Sequence, residues 1–129
     1  MKDDLIRCFE DGTLPPSEFH HRDHVRLAWL YLEEDPPLKA LARFTEGLKR
    51  FASRHGLEGL YHETITWAYL LLIHERRART EGRTWEEFEA GNPDLLTWKP
   101  SVLDRYYRAE TLASDLARRV FVMPDQRRP

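Results

Sequence analysis

Histidines are the residues of this chain best suited to chemistry, and four of the six lie at the beginnings of two apolar segments. His20, His21 and His24 fall within five residues of one another, and His62 follows about forty residues later. Histidine is the side chain here that offers a neutral nitrogen ligand at ordinary pH. The sequence therefore predicts a site at the place where the two segments begin.

The spacing of these histidines fits a metal site. His21 and His24 are three residues apart, which on a helix puts both side chains on one face within reach of one ion. His62 would supply a third nitrogen from the start of a second helix. Three protein nitrogens with an open coordination position are typical of a catalytic rather than a structural site. We therefore predict a divalent transition metal, with Zn, Fe, Ni and Cu all compatible with imidazole ligands.

Residues that follow His62 are candidates for assisting roles. Glu63 is predicted to act as a general base or to hold an imidazole in place, with Asp104 as an alternative for the second role. Thr66, one helical turn after His62, is predicted to hydrogen-bond a ligand or a bound water. His20 lies at the rim of the predicted site, and its role stays open. Aromatic residues are expected to line a pocket beside these groups, namely Trp29, Tyr31, Tyr61, Trp67 and Tyr69.

The apolar spacing predicts three long helices. The first ends near residue 34 and is capped by Ser17 or Asp23, with His21 on the same stripe as the apolar Val25 and Ala28. The second runs from about residue 36 to 55, and the third from about residue 61 to 80. Short helices are predicted near residues 3–10, 84–90, 101–107 and 111–120, and no strand is predicted. The fold class is therefore all-α, an up-and-down helical bundle of three long helices plus short helices.

The bulk composition limits the classes of protein that fit. The 129 residues predict a single helical domain over residues 1–129. With 20 basic and 22 acidic residues, the net charge of −2 argues against a nucleic-acid partner. The longest apolar run, residues 67–73, is too short to span a bilayer, and no signal peptide is evident, so we expect no membrane partner and a cytoplasmic location. The single cysteine excludes an internal disulfide.

Two other classes of function fit the same residues. The histidines, tyrosines and tryptophans are also compatible with a small-molecule binder that needs no metal. The nearly all-round apolar residues 25–32 and the apolar tail at residues 121–123 suggest instead a non-catalytic helical adaptor or a homodimer. Whether the protein is an enzyme stays open at this level.

Two motifs carry a resemblance to a known family. The F-x-H-x-x-H motif at residues 19–24, followed by Y-H-E-T-I-T at residues 61–66, resembles a family of small bacterial all-α proteins without an assigned activity. The resemblance covers roughly residues 12–80 and extends to residues 99–101. It implies greater weight for His21, His24 and His62 than for the other histidines, and it implies no substrate. The architecture is also similar, at a distance, to DinB-like bundles, which hold a metal with three histidines; that similarity is an analogy of fold.

Overall fold

The structure, a computed structural model, describes residues 2–126 and is all-α, as the sequence predicts. Residues 1 and 127–129 of the predicted domain lie outside the described residues. Three short 3-10 turns occur at Pro16–Glu18, Glu58–Leu60 and Val102–Arg105. The described residues form eight helices: α1 (Lys2–Asp11), α2 (His21–Glu34), α3 (Pro37–Arg54), α4 (Glu63–Arg79), α5 (Trp85–Gly91), α6 (Pro93–Leu96), α7 (Ala109–Leu112) and α8 (Asp115–Arg119).

The three long helices pack on one another and form the frame of the molecule. Only residues 35 and 36 separate α2 from α3, and so short a connection makes the two helices antiparallel neighbours. Helix α3 therefore runs back to the end of the bundle where α2 begins, and the connection over residues 55–62 lies at that end. The starts of α2 and α4 therefore lie at the same end of the bundle, beside the end of α3.

Helix α2 is the central helix of the bundle. It contacts α1, α3, α4 and α6, and its residues 27–32 are all buried. Leu27 and Leu30, which a helical wheel puts on the outer side, are 0% and 4% exposed. An all-round apolar helix is expected to be buried, and here the neighbours within the same chain bury it. The apolar character of α2 thus gives no reason for a homodimer, which remains a prediction.

The starts of the long helices differ in detail from those predicted. The N-cap of α2 is His20 rather than Ser17 or Asp23. Asp23 instead lies in the first turn, where its carboxylate accepts a hydrogen bond from the His20 backbone N–H at 3.0 Å. Helix α3 begins at Pro37 after the N-cap Pro36, and α4 begins at Glu63 because the preceding residue is its N-cap.

The carboxyl-terminal region is more broken than the sequence indicates. The helix predicted at residues 101–107 is only a 3-10 turn, and the one predicted at residues 111–120 is divided into α7 and α8. A serine hydroxyl caps the start of the 3-10 turn, and another, inside residues 111–120, caps the new start at α8 and so accounts for the division of that segment. The Ser101 Oγ accepts from the Leu103 N–H, and the Ser114 Oγ accepts from the Ala117 N–H, both at 3.1 Å.

Helix α1 closes the bundle behind the shared helix end. Its Phe9 ring lies against the backbone of α3 at Gly47, where an added Cβ would come within 2.5 Å of the ring. The same ring packs against Phe19 and Phe51, with ring centroids 5.5 Å and 5.8 Å away. The close packing of Phe9 on Gly47 thus positions a ring that contacts Phe19 and Phe51, both of which line the candidate site.

Among residues 2–126, the helices are all too short or too polar to cross a membrane.

Candidate functional site

A cavity of about 570 Å³ lies where α2 and α4 begin and α3 ends. His21, His24 and His62 all line it, so the structure brings the predicted histidines to one place. Trp98, in the connection after α6, lies at its edge and is 46% exposed. The other lining residues are mainly apolar or aromatic: Pro16, Phe19, Val25, Phe44, Leu48, Phe51, Ala52, Leu57, Leu60, Tyr61, Ile65, Thr66 and Tyr69.

His62 uses both of its ring nitrogens to hold the protein together. As the N-cap of α4, its Nδ1 accepts a hydrogen bond from the Ile65 N–H at 3.1 Å. Its Nε2 lies 2.7 Å from the carbonyl oxygen of Leu112, at the end of α7. A carbonyl can only accept, so the proton is on Nε2 and the ring is the neutral tautomer. No nitrogen lone pair of His62 is left for a ligand in this arrangement.

His21 uses one ring nitrogen. Its Nε2 lies 2.8 Å from the carbonyl oxygen of Leu95 in α6, and the nitrogen must therefore be the donor. The ring also contacts Tyr69 and Trp98, with centroids 5.1 Å away in each case. Burial lowers the pKa of His21, partly offset by the bond to Leu95. The neutral ring then carries its lone pair on Nδ1, for which the described residues provide no hydrogen-bond partner.

His24 uses neither ring nitrogen within the described part of the chain. Its ring stacks on Phe19, with centroids 3.9 Å apart and planes inclined by 13°. Burial lowers the pKa of His24 from 6.5 to about 4; the neighbouring His21 lowers it further, and Asp23 acts in the opposite direction. His24 is consequently a neutral imidazole at physiological pH, able to donate one hydrogen bond and accept another.

The two residues predicted to assist catalysis lie in different surroundings. The Glu63 carboxylate accepts a hydrogen bond from the Tyr61 hydroxyl at 2.5 Å, lies 3.7 Å from the Lys49 ammonium, and is not among the cavity-lining residues. Thr66 does line the cavity, and its hydroxyl donates to the His62 carbonyl at 2.7 Å. The pKa of the Tyr61 hydroxyl is raised by burial and by its bond to Glu63. The catalytic roles of Glu63 and Thr66 remain predictions.

Only part of the expected aromatic lining lies at the cavity. Tyr61 and Tyr69 line it. Tyr31 is buried elsewhere and donates to Glu10 at 2.6 Å, while Trp67 stacks on Phe121 with centroids 5.1 Å apart. Trp29 lines a second cavity, of about 470 Å³, and not this one. The sequence positions of all five aromatic residues were compatible with a place in the pocket wall. Which of them reach the wall depends on how the neighbouring elements pack against each helix face.

Sequence reasoning missed two aromatic contributions to this site. Trp98 was not among the aromatic residues expected beside the histidines, yet it lines the cavity edge. Phe19 belongs to the F-x-H-x-x-H motif, but its role as the stacking partner of His24 was not foreseen. The spacing of an aromatic residue five positions before a histidine was the available signal for that contact. No comparable local signal exists for Trp98, which reaches the histidines through the chain reversal after α6.

The predicted metal site remains a prediction. Among the side chains that the structure describes, no group of three or more His, Cys, Asp or Glu residues is arranged to hold one ion. His62 would have to release its bonds to Ile65 and Leu112 to become a ligand. His21 and His24 each keep at least one unpaired nitrogen. Asp104, named as an alternative to Glu63, is exposed and does not line the cavity, and His20 is exposed at the start of α2.

Comparison with protein-family models, curated proteins and solved structures finds no match to this chain. The resemblance carried by the two motifs therefore remains a prediction.

Proposed function

We propose that the protein binds a small, uncharged and largely apolar molecule in the cavity between the helix starts. The observation that carries this proposal is the composition of the wall: a cavity of about 570 Å³ whose described lining residues include no Asp, Glu, Lys or Arg. This volume lies within the range of about 300–1,000 Å³ that is usual for ligand pockets, and a mainly apolar wall with a few polar groups is typical of them.

The surroundings of the histidines support an uncharged ligand. Burial lowers the pKa of both His21 and His24, so the only titratable nitrogens of the wall with spare hydrogen-bonding capacity are neutral at physiological pH. A charged ligand would leave water without a compensating charge in the wall, which is costly. An apolar ligand gains from burial at roughly 25 cal/mol per Å² of apolar surface.

Titration with the neutral fluorescent probe N-phenyl-1-naphthylamine tests the proposal. Ala52 lines the cavity from α3, so Ala52→Leu should fill part of it and weaken probe binding at least tenfold. Ala42 is exposed on the same helix, and Ala42→Leu is the matched control that should leave binding unchanged. Equal binding by both variants, or no saturable binding to the wild-type protein, would rule the proposal out.

A second pair of variants covers the case in which Ala52→Leu does not fold, as judged by circular dichroism. Ile65 lines the cavity from α4, whereas Leu71 on the same helix is 40% exposed. Ile65→Phe should therefore weaken probe binding, and Leu71→Phe should not.

A second candidate function is binding of a transition metal by His21 and His24, supported by their unpaired ring nitrogens and their spacing of three residues on α2. The remaining ligands would come from water or from a bound molecule. Elemental analysis of untagged protein, followed by titration with Zn²⁺, Ni²⁺ and Cu²⁺, tests it. A metal held by His21 and His24 alone would be lost in His24→Phe and kept in His62→Asn. The predicted three-histidine site would lose its metal in both variants, and absence of binding in the wild type would end both hypotheses.

A further inference from the structure

The polar atoms of the cavity wall have an uneven supply of donors and acceptors. The Thr66 and Tyr61 hydroxyl protons are already donated to the His62 carbonyl and the Glu63 carboxylate. The Tyr69 hydroxyl shares a hydrogen bond with the Ser101 hydroxyl at 3.0 Å. The two donated hydroxyls can still accept hydrogen bonds through their oxygen lone pairs, but they have no proton left to give.

The ring nitrogens of the three histidines also have more unused hydrogen-bond acceptors than donors. His62 is fully engaged. The proton of neutral His21 is directed at Leu95, so its other nitrogen can only accept. His24 has no side-chain hydrogen bond among the described residues and can accept through one nitrogen. The wall side chains also offer some donors: one N–H of His24, the indole N–H of Trp98, and the Tyr69 proton if Ser101 is the donor in their shared hydrogen bond. Most of the spare capacity beside the histidines is nevertheless that of acceptors, on His21, His24, Tyr61 and Thr66, so a ligand that carries a donor matches this part of the wall.

The His24 imidazole is held in a defined orientation for such a contact. Stacking on Phe19 at 3.9 Å covers one face of the ring and leaves its edge, where the nitrogens lie, as the part available for hydrogen bonding. The His24 residue is half-buried, and its ring nitrogens are not among the side-chain atoms that are buried without a partner, so a donor from the ligand would replace water at this edge of the ring. Because neither nitrogen is used within the protein, His24 has the largest spare hydrogen-bonding capacity of the three histidines.

Aromatic rings surround the remaining space. Phe19, Tyr61, Tyr69 and Trp98 all line the cavity, and flat rings pack well against such side chains in offset or edge-to-face arrangements. Aromatic walls can also attract organic cations. Here, however, no described lining residue is acidic, and the Lys49 ammonium already lies 5.4 Å from the Tyr61 ring centroid. An anion is equally disfavoured, because the described wall contains no Lys or Arg.

We propose that the cavity selects an uncharged aromatic molecule that carries a hydroxyl or N–H group, and that this group donates a hydrogen bond to the His24 imidazole. The inference rests on the proposed function and names the ligand class for the same site. It distinguishes a phenol-like or indole-like ligand from a plain hydrocarbon, an organic ammonium ion and a carboxylate.

Four naphthalene derivatives of similar size test the ligand class: 1-naphthol, 1-methylnaphthalene, 1-naphthylmethylammonium and 1-naphthoate. Because these compounds differ in their own hydration, the informative quantity is the ratio of the 1-naphthol to the 1-methylnaphthalene association constant in each variant. His24→Phe keeps the ring stack on Phe19 but removes the nitrogens, and it should lower this ratio about three- to tenfold, the usual worth of one neutral hydrogen bond. His74→Phe is the control, because His74 lines the second cavity instead, and the ratio should not change.

A measurement on the wild-type protein makes the test independent of how the variants fold. In histidine labelled with ¹⁵N, addition of 1-naphthol should shift the ring nitrogens of His24 and leave those of His62 unchanged, whereas 1-methylnaphthalene should shift neither by a comparable amount. An unchanged affinity ratio in folded His24→Phe, unshifted His24 nitrogens, or tighter binding of the ammonium or the carboxylate would overturn the inference. If N-phenyl-1-naphthylamine still binds in that case, the proposed function stands without it. If no neutral compound binds at all, both fail.

Discussion

The starts of α2 and α4 both bring histidines to one cavity, yet the histidines do opposite things there. At α4, His62 is the cap of the helix and uses both ring nitrogens. At α2, the Asp23 carboxylate accepts from the His20 backbone N–H and the His20 carbonyl accepts from the Asp23 and His24 N–H groups, so the His24 ring takes no part in these bonds and its nitrogens stay unused. Whether a histidine near a helix start is structural or available to a ligand thus depends on whether its own ring accepts from a first-turn N–H.

The largest effect on stability should come from replacing His62, the histidine whose ring holds two segments together. His62→Phe removes the cap of α4 and leaves the Leu112 carbonyl without its donor, so we expect a loss of about 2–4 kcal/mol in the free energy of unfolding. His62→Asn can still accept from the Ile65 N–H and should recover about 1 kcal/mol of that loss. Urea denaturation measures both. A His62→Phe variant as stable as the wild type would show that the ring does not act as the cap.

The second prediction uses pH to detect the unpaired state of His24. Its pKa in the folded protein is about 4 against an ordinary 6.5, so below pH 6.5 the unfolded chain binds a proton that the folded chain does not. The contribution of His24 to the free energy of unfolding is therefore present above about pH 6.5, and up to about 3 kcal/mol of it is lost as the pH falls toward 4.

His24→Phe isolates this contribution, because every other titrating group is still present in the variant. The wild type should lose about 2 kcal/mol more than His24→Phe between pH 7 and about pH 4.5, as measured by urea denaturation at each pH. Parallel pH profiles for the two proteins would mean that His24 is protonated, or paired, in the folded state.

The third prediction concerns Asp23, which forms the capping box of α2 together with the N-cap residue His20. Asp23→Ala removes the acceptor of the His20 backbone N–H and an acidic group from the first turn, at a cost of about 1 kcal/mol. Asp23→Asn should retain most of the hydrogen bond. Removing the Asp23 charge should also lower the pKa of His24 further, since that charge favours the protonated ring. Thermal denaturation and histidine NMR titration test the two effects, and an unaltered His24 titration would contradict the second.

The smallest effect is expected for His20. The hydrogen bond to the Asp23 carboxylate comes from the His20 backbone. The exposed His20 side chain belongs to the capping box but makes no cap hydrogen bond, so His20→Ala should change the free energy of unfolding by about 0.5 kcal/mol or less. It should also leave probe binding unchanged. A clear loss of binding in His20→Ala would instead give this side chain a role at the rim of the cavity.

Much of the fold could be predicted from the sequence because it is encoded by local patterns. The apolar repeat predicted the three long helices. The short helix predicted near residues 84–90 is α5, which begins at a capping box in which the Thr84 hydroxyl accepts from the Glu87 N–H at 3.2 Å. The shared location of His21, His24 and His62 followed from short connections between antiparallel helices. Prediction failed at Ser114, whose hydroxyl accepts from the Ala117 N–H and begins a new helix inside a segment expected to be continuous.

The sequence by itself determined that three amphipathic helices would form and that two of them would open with histidines. That follows because helix formation and the apolar stripe depend on neighbours within a few residues. Only the tertiary structure decided what each histidine does, since the decisive partners are remote in the chain: the Leu112 carbonyl is fifty residues from His62, and the Leu95 carbonyl is 74 residues from His21. The hydrogen bonds that occupy or spare a ring nitrogen are set by packing between distant segments, and no local pattern records them.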